Sequence, residues 1–229
     1  MNRYFLVLVF ILSFNLLEAK EVKPFNKVYV FGNLDVELVK SDKPRVEILP
    51  DSLVRDNFTI EVKEDSTLEI KLVKGLFDSK TKAGVQVFYT SIHEIKTKGG
   101  ADVWSKSSME VENLNLTANT GGTINLSISN DKVSVGVSAG STISLQGDTD
   151  YIKADASGGG VLSAFDLFAE KAEIGADLGG IAKIGVLKEL SAKASTNGYV
   201  AYKGDPGKIK ENATFGGEIV REGDLQWKP

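Results

Sequence analysis

The sequence predicts an all-β fold, a right-handed parallel β-helix-like solenoid, from two observations. Pairs of small residues recur along the chain, and their second members are 22, 19, 19, 20, 18 and 19 residues apart. Apolar and polar residues alternate on both sides of each pair. A fixed period near twenty is typical of a solenoid, in which each repeat is one coil stacked on its neighbours. The pairs are Gly99-Gly100, Gly121-Gly122, Gly140-Ser141, Gly159-Gly160, Gly179-Gly180, Asn197-Gly198 and Gly216-Gly217.

The alternation predicts two short strands in each coil, each with one buried face. Counted from the second residue of a pair, positions −8, −6, −4, +2 and +4 are apolar in almost every coil. A period of two is that of a half-buried strand, and it argues against a helix. The two exceptions, Glu211 and Arg221, fall in the last coil. A final coil has no neighbour on one side, so we expect these two residues to cap the solenoid.

Corners and ladders follow from the same spacing. Glycine, and Asn197 in one coil, reach positive φ at low cost, so each pair is expected to turn the chain sharply between strands. Stacked coils lie about 4.8 Å apart, so equivalent side chains should form ladders. The sequence therefore predicts that Leu116, Val135, Ala154 and Ile174 share one internal row. The right-handed coil is expected from the general preference for right-handed crossovers.

The chain divides into a signal peptide, one structural unit and a tail. Residues 24–93 also alternate apolar and polar residues, but without a fixed period, and are predicted to form an irregular β region that covers the open edge of the first coil. Residues 94–222 form the regular coils, so that residues 20–222 make a single unit without a linker. Residues 223–229 are a short C-terminal tail.

The first nineteen residues are predicted to direct export. Arg3 gives a positive start, residues 4–17 are almost wholly apolar, and Leu17-Glu18-Ala19 is a small-residue cleavage site. The expected location is the periplasm, the cell surface or the medium. The chain has no cysteine, which excludes disulfides and thiolate metal sites, and its net charge of −4 comes without a basic cluster. Nucleic-acid binding is therefore not expected, and neither is a cofactor.

Catalytic chemistry has weak support in the residues. His93 is the only histidine, and no orienting group or oxyanion site accompanies it, so we interpret it as a strand residue and expect no metal site there. The sharper alternative is a polysaccharide-active enzyme that uses Asp155 and Asp177, which would lie on adjacent coils roughly 8 Å apart, as an inverting pair requires. No aromatic wall or arginine accompanies this pair, which favours two solvated carboxylates.

The first functional hypothesis is a non-catalytic binding protein that uses its flat faces or its glycine-corner edge. Its expected partners are a cell-surface glycan or an envelope protein. Tyr199 and Phe215 flank the last two corners and could stack on a sugar ring or on a partner surface. A third possibility is a homo-oligomer that pairs through strand edges at the coil ends. The tentative binding residues are Asn119, Ser138, Ser157, Asp177, Ser195, Tyr199 and Phe215.

Three segments resemble one bacterial family. They are residues 25–38 (FNKVYVFGNLDVEL), residues 68–70 (LEI) and residues 92–103 (IHEIKTKGGADV), followed by the corner repeats to Gly217. In this order they resemble the family called "putative auto-transporter adhesin, head GIN domain", over about residues 24–222. The resemblance implies an exported β-solenoid from an envelope-rich bacterium, with an adhesive role and no catalytic residues to carry over. No segment resembles a membrane-embedded translocator.

Overall fold

The structure is a computed structural model that describes residues 18–49, 58–72 and 82–223. Most of the predicted signal peptide, and the tail beyond Gly223, lie outside these residues. The predicted cleavage site after Ala19 falls inside the first strand, Glu18–Glu21. All elements over the described ranges are strands, and none of these residues forms a helix of the length and apolarity that a membrane crossing requires.

Eighteen strands join into one sheet that wraps around a single core. The four longest, β12 to β15, each run from one corner to the next and bend between two faces. The strands are β1 Glu18–Glu21, β2 Lys27–Phe31, β3 Leu34–Lys40, β4 Arg45–Ile48, β5 Phe58–Val62, β6 Thr67–Leu72, β7 Ala83–Tyr89, β8 Glu94–Lys98, β9 Asp102–Ser105, β10 Met109–Glu110, β11 Asn113–Asn119, β12 Thr123–Ser138, β13 Thr142–Ser157, β14 Val161–Ala176, β15 Ile181–Ala194, β16 Tyr199–Lys203, β17 Lys208–Ala213 and β18 Glu218–Arg221.

The predicted internal row is present, and the solenoid prediction is confirmed. Leu116 pairs with Val135, Val135 with Ala154, and Ala154 with Ile174, all in parallel register. The four side chains are at most 4% exposed. Because each strand places its apolar residues at every second position, the register of one rung fixes which residues face the core in the next.

The N-terminal region is irregular in its chain order. Val28 of β2 pairs with Leu68 of β6 on one side and with Ile95 of β8 on the other. Likewise, Val36 of β3 pairs with both β7 and β9. The coil made by β2 and β3 is therefore inserted between the β6–β7 coil and the β8–β9 coil. The region was expected to cover the edge of the first coil, and it also supplies two coils of its own.

Antiparallel strands end the parallel stack at its N-terminal end. Strand β5 pairs antiparallel with β6, β4 pairs antiparallel with β7, and β1 pairs antiparallel with β4. At the other end, the six residues of β17 are all exposed, and Glu211 there follows Ala192 in the internal row. Arg221 donates from Nε to the Gly204 carbonyl at 2.8 Å and lies 3.5 Å from Asp205. The polar residues predicted for the last coil are thus at its open end.

Each corner is a turn with two consecutive residues at positive φ. In the corner of residues 119–122, Thr120 has φ 53° and Gly121 has φ 74°, and the amide of Gly122 donates to the Asn119 carbonyl at 3.2 Å. Two positive φ values with this hydrogen bond are the pattern of a type I′ turn. The sequence interpretation assigned positive φ to the whole pair. In the structure this holds for Gly99-Gly100, whereas in the six later corners the positive φ values belong to the first member of the pair and to the residue before it.

In the six corners from 119 to 217, the second member of the pair is small for a different reason, the close approach of the preceding coil. A Cβ on Gly160 would lie against the Val137 carbonyl, and one on Gly180 would lie against the Ala156 carbonyl. Since these contacts are backbone atoms of a paired strand, a side chain there would push two coils apart. Ser141 is the one non-glycine residue at this position in the six corners from 119 to 217, and it is buried with a hydroxyl that has no partner among the described residues.

Candidate binding site at the corner edge

The corner turns stack into one edge of the solenoid, which we call the corner edge. It comprises residues 119–122, 138–141, 157–160, 177–180, 195–198 and 214–217. The register places equivalent residues of neighbouring corners beside one another, since Ser138 pairs with Ser157 and the strands on either side stay in step. The edge therefore presents the same turn position once per coil.

Five of the predicted binding residues lie in one row at the first position of these turns. Their carbonyls accept the closing hydrogen bond of the turn, for example at 2.8 Å in the Asp177 and Ser195 turns. Asp177 is exposed and the other four are half-buried. The structure thus brings these residues together, as predicted, while their backbone also has a structural role in each turn. The row is Asn119, Ser138, Ser157, Asp177 and Ser195.

The next turn position protrudes further, and sequence reasoning singled out only one of its members. Every residue in this row has a positive φ between 47° and 53°. In the sequence these residues could be recognised only by their position, because each of them immediately precedes a small-residue pair. We call it the protruding row: Thr120, Ala139, Gly158, Leu178, Thr196 and Phe215.

Leu178 and Phe215 differ from the rest of the protruding row in size and polarity. Leu178 is 61% exposed with φ 47°, and Phe215 is 86% exposed with φ 50°. A bulky residue in this left-handed region is a steric outlier, whereas glycine and asparagine adopt it at low cost. Both residues therefore have a strained backbone and an apolar side chain exposed to water. Neither cost is offset by burial of the side chain.

The large exposed apolar residues of the protruding row lie in the C-terminal half of the corner edge. The row directly after the turns also changes along the solenoid, and its members are Thr123, Thr142, Val161, Ile181, Tyr199 and Glu218. Tyr199 is half-buried, and its hydroxyl donates to the Glu222 carboxylate at 3.1 Å. Burial, and then the neighbouring Glu222 charge, raise the pKa of Tyr199. Its ring is therefore held beside the corners rather than free to swing.

Asp155 and Asp177, the carboxylates of the alternative enzyme hypothesis, do not line one groove as the two acids of a catalytic site would. Asp155 pairs in register with Gly175, which leaves room for its carboxylate in a shallow groove of about 210 Å³. The carboxylate that shares this groove is Glu173, and Asp177 is not among the lining residues. The Tyr151 hydroxyl donates to Glu173 at 3.0 Å and, together with the Lys153 charge, lowers the pKa of Glu173.

The remaining residues considered for chemistry stay in structural roles. His93 is half-buried, and its backbone donates to Asn26 at 2.9 Å and accepts from Asn115 at 2.8 Å, as a ladder residue does. Over residues 18–49, 58–72 and 82–223, no three histidine or acidic side chains gather where they could hold a metal ion.

Similar solved structures come from species of Bacteroides and Parabacteroides. A crystal structure described as a putative adhesin from Bacteroides fragilis is 22% identical, covers 90% of this chain and 96% of its own, and superposes with a TM-score of 0.77. A protein described as a putative adhesin from Parabacteroides merdae gives 19% identity, 89% and 94% coverage, and a TM-score of 0.68. One from Parabacteroides distasonis, described as a putative lipid binding protein, gives 22% identity, 89% and 96% coverage, and a TM-score of 0.64.

The similarity to these structures shows that the chain has the same fold. Its family is shown instead by a comparison of the sequence with family profiles. No match was found among curated proteins. A family profile matches residues 24–206, which ends before the last coil and therefore before Phe215. The match spans most of the chain and includes the segments on which the resemblance rested. This chain belongs to the family described as "Putative auto-transporter adhesin, head GIN domain".

Proposed function

We propose that this protein is an exported, non-catalytic adhesion protein that binds a partner on a cell surface or in the cell envelope through the C-terminal half of the corner edge. The observation that carries the proposal is the pair Leu178 and Phe215, two exposed apolar side chains on turn positions that disfavour them. Strain that the fold does not need is commonly found where a residue serves binding.

The surroundings of the pair have the composition of a binding surface. Tyr199 is an anchored aromatic ring, and aromatic residues dominate the energy of protein and glycan contacts. Asp177 and Ser195 border the apolar residues with polar groups. A rigid solenoid also loses little conformational entropy on binding, because its backbone is already held in parallel ladders. Membership of an adhesin-like family agrees with this role.

The test compares matched variants of the protruding row. The double variant Leu178→Asp/Phe215→Asp should weaken binding of the purified mature protein to whole bacterial cells and to envelope fractions by at least about tenfold. The control is Thr120→Asp/Ala139→Asp, which places the same charges on the same turn position in other coils. Equal binding by wild type and the Leu178/Phe215 variant would overturn the proposal. Light scattering on the same samples shows whether the partner is a second copy of this chain.

The second candidate function, polysaccharide cleavage, is favoured by the groove that holds Asp155. It requires the wild-type protein to release reducing ends, or unsaturated products, from neutral or acidic polysaccharides. The release must be lost in Asp155→Asn and in Asp177→Asn. Adhesion without catalysis predicts no release by wild type, and release that depends on both carboxylates would replace the adhesion proposal.

A further inference from the structure

A second concave surface lies at the opposite end of the solenoid, where the N-terminal coils are out of chain order. The groove measures about 430 Å³ and runs over the outer face of β2, between β6 and β8. The turn that joins β5 to β6 forms its wall, because Lys63 and Asp65 line it together with Tyr29 and Glu94. We call it the Tyr29 groove. It shares no residue with the corner edge.

The floor of the groove is an aromatic ring turned outward. Val28 and Val30 are 1% and 0% exposed, so the alternation of β2 directs Tyr29 away from the core. Tyr29 and Phe31 are both half-buried on this face, which gives an aromatic strip along one strand. The ammonium of Lys71 lies 5.7 Å from the centre of the Tyr29 ring. The ring is thus partly covered at one border and open toward the groove.

The Tyr29 hydroxyl is available for a ligand. Over the described part of the chain, no group forms a hydrogen bond with it, whereas the hydroxyls of Tyr151 and Tyr199 donate to Glu173 and Glu222. An outward tyrosine with a free hydroxyl can offer a stacking face and a hydrogen bond at the same time.

The charged residues around Tyr29 neutralise one another. Glu69 lies 2.8 Å from the Lys71 ammonium and 3.5 Å from that of Lys63. Lys27 lies 3.4 Å from Asp65 on one border, and Lys96 forms an ion pair with Glu94 on the other. The Lys71 ammonium beside it lowers the pKa of Glu69, so this carboxylate is ionised at neutral pH. An acidic or a basic ligand would have to break these pairs, whereas an uncharged ligand can bond to them without doing so.

We propose that the Tyr29 groove binds a neutral carbohydrate, with a pyranose ring stacked on Tyr29. Carboxylates accept hydrogen bonds from sugar hydroxyls and ammonium groups donate to them, so Glu69, Glu94 and Lys96 supply both kinds of partner around one ring. The arrangement is that of a small-ligand site, in which an apolar surface supplies contact and a few polar groups fix orientation. This site is independent of the corner edge and gives the protein two binding surfaces at opposite ends.

The experiment is a calorimetric titration of the mature protein with hexasaccharides of glucose in α- and β-linkage, mannose and xylose, beside hexagalacturonate as the charged probe. At least one neutral hexasaccharide should bind, and its affinity should change less than about twofold between 0.1 M and 1 M salt, because no net charge is paired. Tyr29→Ala should weaken binding about tenfold or more, and Tyr29→Phe should keep most of it. Phe165→Ala serves as the matched aromatic control, because this ring is also half-buried beside a lysine ammonium and lies outside both proposed sites, and it should bind as wild type.

Thermal unfolding of each variant separates loss of the site from loss of the fold. Because Tyr29 is outward, both Tyr29 variants should remain folded. If Tyr29→Ala does not fold, Lys96→Ala provides the second measurement, since it removes a donor at an exposed position. The proposal is overturned if none of the neutral probes binds, if only hexagalacturonate binds, or if a folded Tyr29→Ala variant binds the sugar as wild type does. Each of these outcomes leaves the corner-edge proposal standing.

Discussion

Leu178 and Phe215 occupy the same position of two corner turns, two coils apart, and both hold their side chains in water from a backbone with positive φ. Ala176, Ala194 and Ala213 form one ladder, so the residues two places later, including Thr196 between them, are aligned along the edge. The two apolar side chains are therefore fixed on one line by the solenoid itself.

Replacing either residue with glycine should stabilise the fold while weakening binding. A bulky residue at positive φ costs about 1 kcal/mol relative to glycine, and an exposed side chain loses little burial when removed. Leu178→Gly and Phe215→Gly should each raise the midpoint of thermal unfolding by a few degrees, measured by circular dichroism. Cell binding should fall in both. A drop in stability would show that the side chains serve the fold instead.

Thr196→Gly is the matched control for that comparison. Its φ of 47° equals that of Leu178, but its side chain is small and polar. It should gain a similar stability, about 1 kcal/mol, and keep full binding. Loss of binding in this variant as well would mean that the shape of the edge, rather than its apolar groups, is recognised.

At the second residue of a corner pair, replacing serine with glycine and replacing glycine with serine should change stability in opposite directions. Ser141→Gly removes a buried hydroxyl that has no partner among the described residues, and should stabilise by about 1–2 kcal/mol. Gly160→Ser places a side chain against the Val137 carbonyl, and should destabilise by about 1–3 kcal/mol. Denaturant unfolding measures both. Two changes of the same sign would contradict the close-approach explanation.

The inserted coil can be tested with engineered disulfides, because the chain has no cysteine of its own. Lys27 and Glu94 are paired neighbours on β2 and β8, so Lys27→Cys/Glu94→Cys should form a disulfide on mild oxidation. The control pair is Thr67→Cys/Glu94→Cys. These positions lie on either side of β2, about two rungs or 9.6 Å apart, which is too far for a bond. A bond in the control alone would show that the coils stack in chain order.

Acid should destabilise the protein in a defined pH range. The Lys71 ammonium lowers the pKa of Glu69, and hydrogen bonds from Tyr151 and Lys208 lower the pKa values of Glu173 and Glu189. A carboxyl group with a depressed folded pKa adds stability above its unfolded value of about 4.3, and this is lost as the pH falls through the folded value. The unfolding temperature should therefore be nearly constant from about pH 8 to 5 and fall below about pH 4.3.

The variant Glu69→Gln measures how much of the stability lost in acid comes from the Glu69 carboxylate. Glu69 has the smallest exposed fraction of the three side chains, 15%, so solvent screens its ion pairs least. At pH 7 the variant should unfold at a lower temperature than wild type, and the difference should shrink toward pH 3. A constant difference across this range would show that Glu69 contributes by packing rather than by its charge.

The regular coils were predictable from residues that are close in sequence. The row from Leu116 to Ile174 could be predicted because alternation decides which side of a strand is buried, and the constant spacing decides which residues meet. Phe215 could be placed outside a corner for the same reason. The contrast between Leu178 and the small residues in its row was visible in the sequence, but only the turn geometry shows that it is strained and exposed.

The stacking order of the N-terminal coils could not be predicted in this way, because that region has no constant spacing. Strands β2 and β6 both alternate cleanly, and a short alternating segment accepts any neighbour of the same pattern. The Tyr29 groove depends on that choice, since its walls come from strands that are distant along the chain.

The sequence by itself therefore determined the coil, its corners and its buried face, because these depend on local periodicity and on the conformational range of glycine. Only the tertiary structure decided which N-terminal coil lies between which, and hence where the aromatic floor meets its charged borders. The physical reason is that pairing between distant strands depends on which packed arrangement buries the most surface, and no single segment carries that information.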